Sequence, residues 1–176
     1  MIIKVDRNYL EINSIKDLNN SNKPSENCNL QLVDPPDFQI NKFFYKQIGK
    51  DHRWVDRLSW NEKSWIDYVG DRQVKTYVLK EKEDPVGYFE QIFHIEKKSC
   101  EIAYFGILKE YYGKKYGGYL LTEAIKNSFI EGIEKVSVHT CSLDHKNALK
   151  NYQARGMRIF ISETINLNVN YYISVY

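Results

Sequence analysis

The clearest hydrophobic pattern in the chain is a series of β-rich runs near its middle. Residues 74–79 and 86–93 are rich in valine and aromatic residues, and the polar segment 81–85 between them is typical of a hairpin connection. A second polar turn, 96–99, leads into a third run at 100–108. The pattern predicts three consecutive strands joined by tight turns.

A helical period follows over residues 113–132. Two sets of apolar residues lie four positions apart and give one broad apolar face: Tyr116, Leu120 and Ala124, and Leu121, Ile125 and Phe129. A β-branched run at 135–140 precedes a second predicted helix, with Asp144 as its N-cap and Gly156 just past its end. Two further β-rich segments, 157–162 and 165–176, predict an α/β (α+β) domain with one mixed sheet.

The first 70 residues carry weaker signals. Residues 2–10 are strand-like, and 13–37 are rich in Asn, Ser, Pro and Asp, which is typical of a loop. Helices are predicted from Asp37 through Ile48 and over residues 60–69.

Composition excludes several classes of protein. The chain has 176 residues, 43% of them apolar and 27% charged, as expected for one globular domain. A net charge of +2 and the lack of a nucleic-acid-binding motif argue against a nucleic-acid or membrane partner. The sequence contains neither an 18-residue apolar run nor a signal-peptide pattern, and its three cysteines form no disulfide framework. We therefore expect a cytoplasmic protein.

The candidate chemistry lies where the third strand turns into the first clear helix, at Gly113-Lys114-Lys115-Tyr116-Gly117-Gly118. The first turn of a helix leaves N–H groups unpaired and carries partial positive charge, so it binds phosphate well. Glycines allow close approach, and two lysines add charge. The pattern fits a phosphate-binding loop, although a tight turn without a ligand would look the same.

Two segments resemble the GNAT acetyltransferase superfamily. EIAYFGILKEYYGKKYGGYLLTEAI is similar to its cofactor strand, pyrophosphate loop and helix, whose Gln/Arg-x-x-Gly-x-Gly/Ala pattern falls on Tyr112, Lys115 and Gly117. Only Gly117 matches strictly. LDHKNALKNYQARGM resembles the pattern Asn-x-x-Ala-x-x-x-Tyr-x-x-x-Gly-Phe, with matches at Ala148, Tyr152 and Gly156 and substitutions at His145 and Met157. The segments RWVDRLSW, GYFE and HTCSLDH resemble bacterial members of unassigned substrate.

The resemblance implies a mostly antiparallel central sheet, splayed at the cofactor strand and flanked by helices. It implies one acyltransferase domain over 1–176, with an acceptor-side region at 1–70, an acyl-CoA core at 74–161 and a C-terminal strand at 162–176. The implied activity is transfer of an acetyl group from acetyl-CoA to a primary amine, without a metal. The alternative is a degenerate domain that binds acyl-CoA or a protein partner without catalysis, which the substitutions at Tyr112 and Lys115 favour.

The same resemblance assigns the candidate cofactor-binding residues, which are Phe105, Ile107, Tyr112, Gly113, Lys114, Lys115, Tyr116, Gly117, Gly118 and His145. Glu101 resembles the strand glutamate that removes the amine proton, and Tyr152 resembles the tyrosine that protonates the departing thiolate. Uninterrupted strand alternation would place Glu101 on the face of Phe105 and Ile107, whereas a bulge would not. An exposed strand-end carboxylate and a core tyrosine are the alternatives for these two residues.

Further candidates concern the acceptor. Glu90 is a rival base or an anchor for the substrate amine, and His139 is a candidate acceptor-pocket residue. The spacing His139-x-Cys141-x-x-x-His145 suggests metal ligands or a cysteine nucleophile, but strand-end positions explain it without chemistry. The β-rich segment 165–176 is a candidate edge strand for a homodimer. The acceptor could be a small molecule or a peptide amine.

Overall fold

A seven-stranded sheet organises the computed structural model, which describes residues 2–168. In order along the chain, its strands are β1 (Ile2–Ile12), β2 (Cys28–Leu32), β3 (Val74–Glu81), β4 (Asp84–His94), β5 (Ser99–Ile107), β6 (Lys135–Cys141) and β7 (Arg158–Asn168). The α-helices of this part of the chain are α1 (Phe38–His52), α2 (Glu62–Val69), α3 (Tyr116–Ser128) and α4 (Ala148–Ala154). The strand order is β2-β3-β4-β5-β6-β1-β7, with β5 and β6 parallel and the other pairs antiparallel.

The predicted mixed α/β class is confirmed. The three central strands became β3, β4 and β5, and the residues with a helical period became α3. Leu120, Leu121 and Ile125 on its apolar face are fully buried against the sheet. None of the helices among residues 2–168 combines the length and the apolar character needed to span a bilayer.

Three local predictions were wrong. The polar stretch 13–37 contains the edge strand β2, and the two segments predicted near the C-terminus are continuous in β7 as far as Asn168. Residues 169–176 lie outside the described part of the chain, and so does most of the predicted dimer strand. Asn147, not Asp144, is the N-cap of α4, because the Asp144 carboxylate instead accepts hydrogen bonds from the Thr140 hydroxyl and the Cys141 N–H at 2.7 and 2.9 Å.

A β-bulge at Ala103 changes the side-chain alternation of β5. Glu90 of β4 pairs with Tyr104 and the next residue, Gln91, pairs with Ile102, so Ala103 has no direct partner on β4. Ile102 before the bulge and Ile107 after it both face the core under α3, although uninterrupted alternation would place them on opposite faces. Tyr104 and Gly106 therefore face the opposite layer, where Ile48 of α1 packs.

The junction between β5 and β6 is short. Three residue pairs join the strands, from Ser99 with Lys135 to Glu101 with Ser137. Beyond them the strands diverge, and the wedge between them opens into a cavity. The predicted splay at the cofactor strand is thus confirmed.

A buried charge pair fixes the segment between α1 and α2 against the sheet. Arg57 donates to Glu90 Oε2 at 2.8 Å, and the two side chains are 6% and 0% exposed. Glu90 also accepts hydrogen bonds from Asn41 and the Tyr68 hydroxyl at 2.8 and 2.7 Å. The Arg57 guanidinium lies 4.0 to 5.8 Å from the centres of five aromatic rings, those of Tyr45, Trp60, Trp65, Tyr68 and Tyr104.

Candidate active site

A cavity of about 600 Å³ fills the wedge between β5 and β6. One end, which we call the α3 end, is lined by Tyr112, Gly113 and residues 115–118. The other, the β1 end, is lined by Val5, Arg7, Asp56 and His139. Residues 102–107 of β5 connect the two ends, so a single elongated ligand can reach both.

The α3 end is built to receive an anion. Lys115, the N-cap of α3, has a φ of 69° and makes no side-chain capping hydrogen bond. The N–H groups of the following turn have no carbonyl four residues earlier to bind, and the helix dipole makes this end positive. Gly113 has a φ of 75° and open space where a Cβ would stand, so the loop is left uncrowded.

The two lysines of this loop differ in position. Lys115 lines the cavity, whereas the Lys114 ammonium lies 5.4 Å from the centre of the Tyr111 ring and is not part of the lining. The predicted cofactor residues other than Lys114 all line the cavity. Of the two loop lysines, a phosphate at the helix start would thus meet Lys115 together with the backbone.

Tyr112 and His145, which occupy the substituted family positions, contact each other. Their ring centres are 4.8 Å apart, and the Tyr112 hydroxyl lies 3.4 Å from Nε2 of His52. Burial, followed by electrostatic interactions with His52 and Lys146, lowers the pKa of His145. His145 is therefore uncharged at neutral pH where it lines the cavity.

Tyr152 lines the cavity. Its ring centre is 6.1 Å from that of Phe105, and among residues 2–168 its hydroxyl has no hydrogen-bond partner. Burial, with a smaller contribution from Asp144, raises the pKa of Tyr152, so the hydroxyl keeps its proton at neutral pH. The neighbouring Asn151 donates to the Gly117 carbonyl at 3.0 Å and fixes α4 to the start of α3.

The bulge at Ala103 also decides where Glu101 points. Glu101 lies on the face opposite Cys100 and Ile102, so it does not share the face of Phe105 and Ile107. Its carboxylate lies 3.4 Å from His94 Nε2 and does not line the cavity. Its assignment as the base stays a prediction, without direct support from the cavity geometry.

The role predicted for Glu90 needs correction. Glu90 is fully buried, both of its carboxylate oxygens accept hydrogen bonds from the protein, and it does not line the cavity. It cannot contact an acceptor from this position. Its charge instead holds Arg57 and the segment around it.

His139 lies at the β1 end, as its prediction as an acceptor-pocket residue requires. Its side chain is accessible from the cavity, yet the surrounding protein atoms, followed by the positive charge of Arg7, lower its pKa. The imidazole is therefore neutral near pH 7. A neutral imidazole facing a cavity can accept a proton.

The sequence did not indicate Arg7 and Asp56, which also line the β1 end. Arg7 of β1 pairs with Cys141 of β6, and two residues further along Tyr9 pairs with His139. Because side chains two residues apart on a strand share a face, Arg7 and His139 lie on the same face of the sheet. Alternation in β1 could have suggested Arg7 once β6 was known as its partner. Asp56 lies in the irregular segment between α1 and α2, where no periodicity points to it.

The His139, Cys141 and His145 spacing does not form a compact centre. His139 contacts the Tyr9 ring, while His145 packs against Tyr112 and His52. Within residues 2–168, no three His, Cys, Asp or Glu side chains are grouped so that they could hold a metal ion. Burial raises the pKa of Cys141, which disfavours the reactive thiolate.

Comparison with known proteins agrees with this architecture. A family model described as Acetyltransferase (GNAT) family matches residues 39–157. No curated protein matches the chain.

Among solved structures, the chain is similar to GCN5-related N-acetyltransferases from Kribbella flavida and Sphaerobacter thermophilus. The TM-scores are 0.65 and 0.67 at 12% and 13% identity, over 94% and 92% of this chain. The chain spans 58% and 51% of those two proteins. It is also similar to an aminoglycoside acetyltransferase from an uncultured soil metagenomic sample, crystallised with sisomicin, with a TM-score of 0.62 at 12% identity over 76% of this chain and 90% of that one. At such identities the likeness establishes the fold.

Proposed function

Because this chain belongs to the GNAT acetyltransferase family, we propose that it transfers an acetyl group from acetyl-CoA to a primary amine. The observation that carries the proposal is the cavity itself. It runs from the open first turn of α3, along the diverging part of β5, to a polar pocket at the β1 end. A ligand with phosphates at one end and a reactive group at the other matches that course.

The residues at the α3 end fit the cosubstrate. The unpaired N–H groups after Lys115, the open space at Gly113 and the Lys115 charge suit a pyrophosphate. The backbone of residues 105–107 lines the cavity beyond the point where β6 leaves β5, so the wedge can hold an extended amide-containing arm. When bound, acetyl-CoA supplies an acyl group activated as a thioester.

We assign two proton transfers to the chain's own side chains. An alkyl ammonium has a pKa of about 10, so a base must take its proton before the nitrogen can attack. His139 is neutral and faces the cavity, which makes it the better-placed base. Tyr152 is our candidate to give a proton to the leaving sulfur, because its hydroxyl is protonated, faces the cavity and has no partner among the described residues.

With these assignments, every bond and proton of the proposed transfer is accounted for. A C–N bond forms between the acceptor nitrogen and the acyl carbon, and the C–S bond breaks. The ammonium gives one proton to His139 before the attack, and the sulfur receives one from Tyr152 as the C–S bond breaks. The second proton lost by the nitrogen, as the amide forms, restores the Tyr152 hydroxyl, and His139 releases its proton to solvent. The amine class of acceptor is supported by the structural neighbour named as an aminoglycoside acetyltransferase, since aminoglycosides carry amines.

Calorimetric titration with acetyl-CoA and with free CoA tests the cosubstrate site. Lys115→Gly removes the charge while keeping a residue suited to a φ of 69°. We expect it to weaken binding by roughly three- to tenfold, less at high salt, because an exposed phosphate contact is worth about 1 kcal/mol. Lys114→Ala is the matched control, because Lys114 does not line the cavity.

Absence of binding by the wild-type protein to either ligand would refute the transferase proposal. Equal weakening by the two lysine variants would instead refute the assignment of the phosphate site to the cavity side of the loop. A thiol-release assay with a panel of amines then measures transfer itself.

A further inference from the structure

Two side chains of opposite charge face the β1 end of the cavity without pairing. Arg7 projects from β1 and Asp56 from the segment between α1 and α2, and both line the cavity. The two charges interact electrostatically, but no salt bridge joins them. Each therefore keeps hydrogen-bonding capacity for a ligand.

Arg7 is the incompletely satisfied member of the pair. Its one hydrogen bond within residues 2–168 is a long contact of 3.5 Å from Nη1 to the Tyr9 hydroxyl, and its Nε is buried without a partner. No carboxylate of the described residues lies within salt-bridge distance of its guanidinium. A buried guanidinium donor without an acceptor is costly, and a carboxylate suits its fork of donors.

Asp56 is held in place by its surroundings. Its Oδ2 accepts a hydrogen bond from the Tyr104 hydroxyl at 3.1 Å, and the next residue, Arg57, is fixed by Glu90 and by the surrounding aromatic rings. Asp56 itself is exposed, and within the described residues no cation pairs with it. A fixed carboxylate with a free oxygen at a cavity wall suits an ammonium group.

We propose that the acceptor is a free amino acid, whose carboxylate binds Arg7 and whose amine binds Asp56 beside the base His139. This inference rests on the proposed transferase function and names its acceptor class. A monofunctional amine would leave Arg7 unsatisfied, and an acid without an amine would leave Asp56 unpaired. The two charges thus select a ligand that carries both an amine and a carboxylate.

The test compares each of a set of amino acids with its carboxamide, which keeps the amine and side chain but lacks the negative charge. Transfer is measured by thiol release at saturating acetyl-CoA. We expect kcat/KM to favour the free acid by roughly ten- to hundredfold, the equivalent of one charge-assisted hydrogen-bonded pair. Arg7→Met should abolish that preference, with Arg72→Met, an exposed arginine, as the control.

Asp56→Asn should lower kcat/KM for acid and amide alike by roughly tenfold or more, because both ligands carry the amine. Asp67→Asn on the exposed face of α2 is its control. If Arg7→Met folds poorly, Arg7→Lys keeps the charge and loses the fork, and should retain part of the preference. Circular dichroism and CoA affinity show whether each variant is intact.

A binding measurement separates this inference from the proposed function. Calorimetry of amino acids with the protein alone should show binding that Arg7→Met weakens, even if acetyl-CoA does not bind and the transferase proposal fails. Equal kcat/KM for acid and amide in the wild-type protein would overturn the amino-acid assignment alone. An unchanged preference in Arg7→Met would overturn it as well.

Discussion

The buried charge pair between Arg57 and Glu90 allows a quantitative test of how the segment carrying Asp56 is held. Glu90→Gln preserves the shape of the side chain but leaves the Arg57 guanidinium, 6% exposed, without its counter-charge. Breaking a buried pair by neutralising one partner costs about 3–5 kcal/mol. The aromatic rings around Arg57 remain, so we expect the lower end of that range, about 3 kcal/mol.

Such a loss is a large part of the roughly 5–15 kcal/mol that stabilises a domain. Urea unfolding followed by tryptophan fluorescence suits the measurement, because Trp60 and Trp65 pack beside the guanidinium. With a urea slope of about 1–3 kcal/mol/M, the midpoint should fall by about 1–3 M.

The control for Glu90→Gln is Asp67→Asn, which breaks the exposed pair with Lys63 one helical turn away. That pair should contribute about 0.3–0.5 kcal/mol. Combining Glu90→Gln with Arg57→Met should cost less than the sum of the two single changes, because the double variant leaves no buried unpaired charge. If Glu90→Gln proves as mild as the control, the pair does not hold this segment and the reasoning fails.

Two catalytic predictions follow from the proton transfers. Tyr152→Phe should lower kcat by about 100-fold or more with KM nearly unchanged, and should leave thermal stability close to wild type, because the hydroxyl has no partner among the described residues. The pH profile of kcat/KM should fall on the acid side as His139 protonates, at a pH below the ordinary histidine value of about 6.5, because its pKa is lowered. His139→Gln should remove that inflection while His94→Gln retains it; loss of the inflection in Glu101→Gln instead would identify the carboxylate as the base.

Much of the fold could be predicted because its signals are local. The four-residue spacing that gave α3, and the polar turns between β3, β4 and β5, are properties of short stretches of chain. β2 escaped prediction because only Cys28 of its five residues is fully buried, so hydrophobicity barely marks it. It is a strand because it pairs with β3, which lies more than forty residues later in the sequence.

The sequence indicated most of the residues that line the α3 end but, at the β1 end, indicated His139 and missed Arg7 and Asp56. The loop residues from Tyr112 to Gly118 are consecutive, so one motif indicated most of them. The sequence could not show which face Glu101 lies on or that Glu90 is buried, because both depend on how β4 pairs with β5 around the bulge at Ala103. Asp56 is positioned by its hydrogen bond from Tyr104 and by the packing of Arg57 on the Tyr104 ring. Tyr104 is distant from Asp56 in the sequence, so no local pattern could indicate this contact.

The short junction between β5 and β6, three residue pairs long, separates the sheet into two groups of strands. On one side of it, the group β2 to β5 includes β5, which lines the cavity. On the other side, the group β6, β1 and β7 includes β1 with Arg7 and β6 with His139. If the proposed function is right, substitutions in the second group should change the acceptor while β5 keeps its register with β4. Under the proposed function, a change of acceptor therefore requires no change in β5, the strand proposed to face the acyl donor.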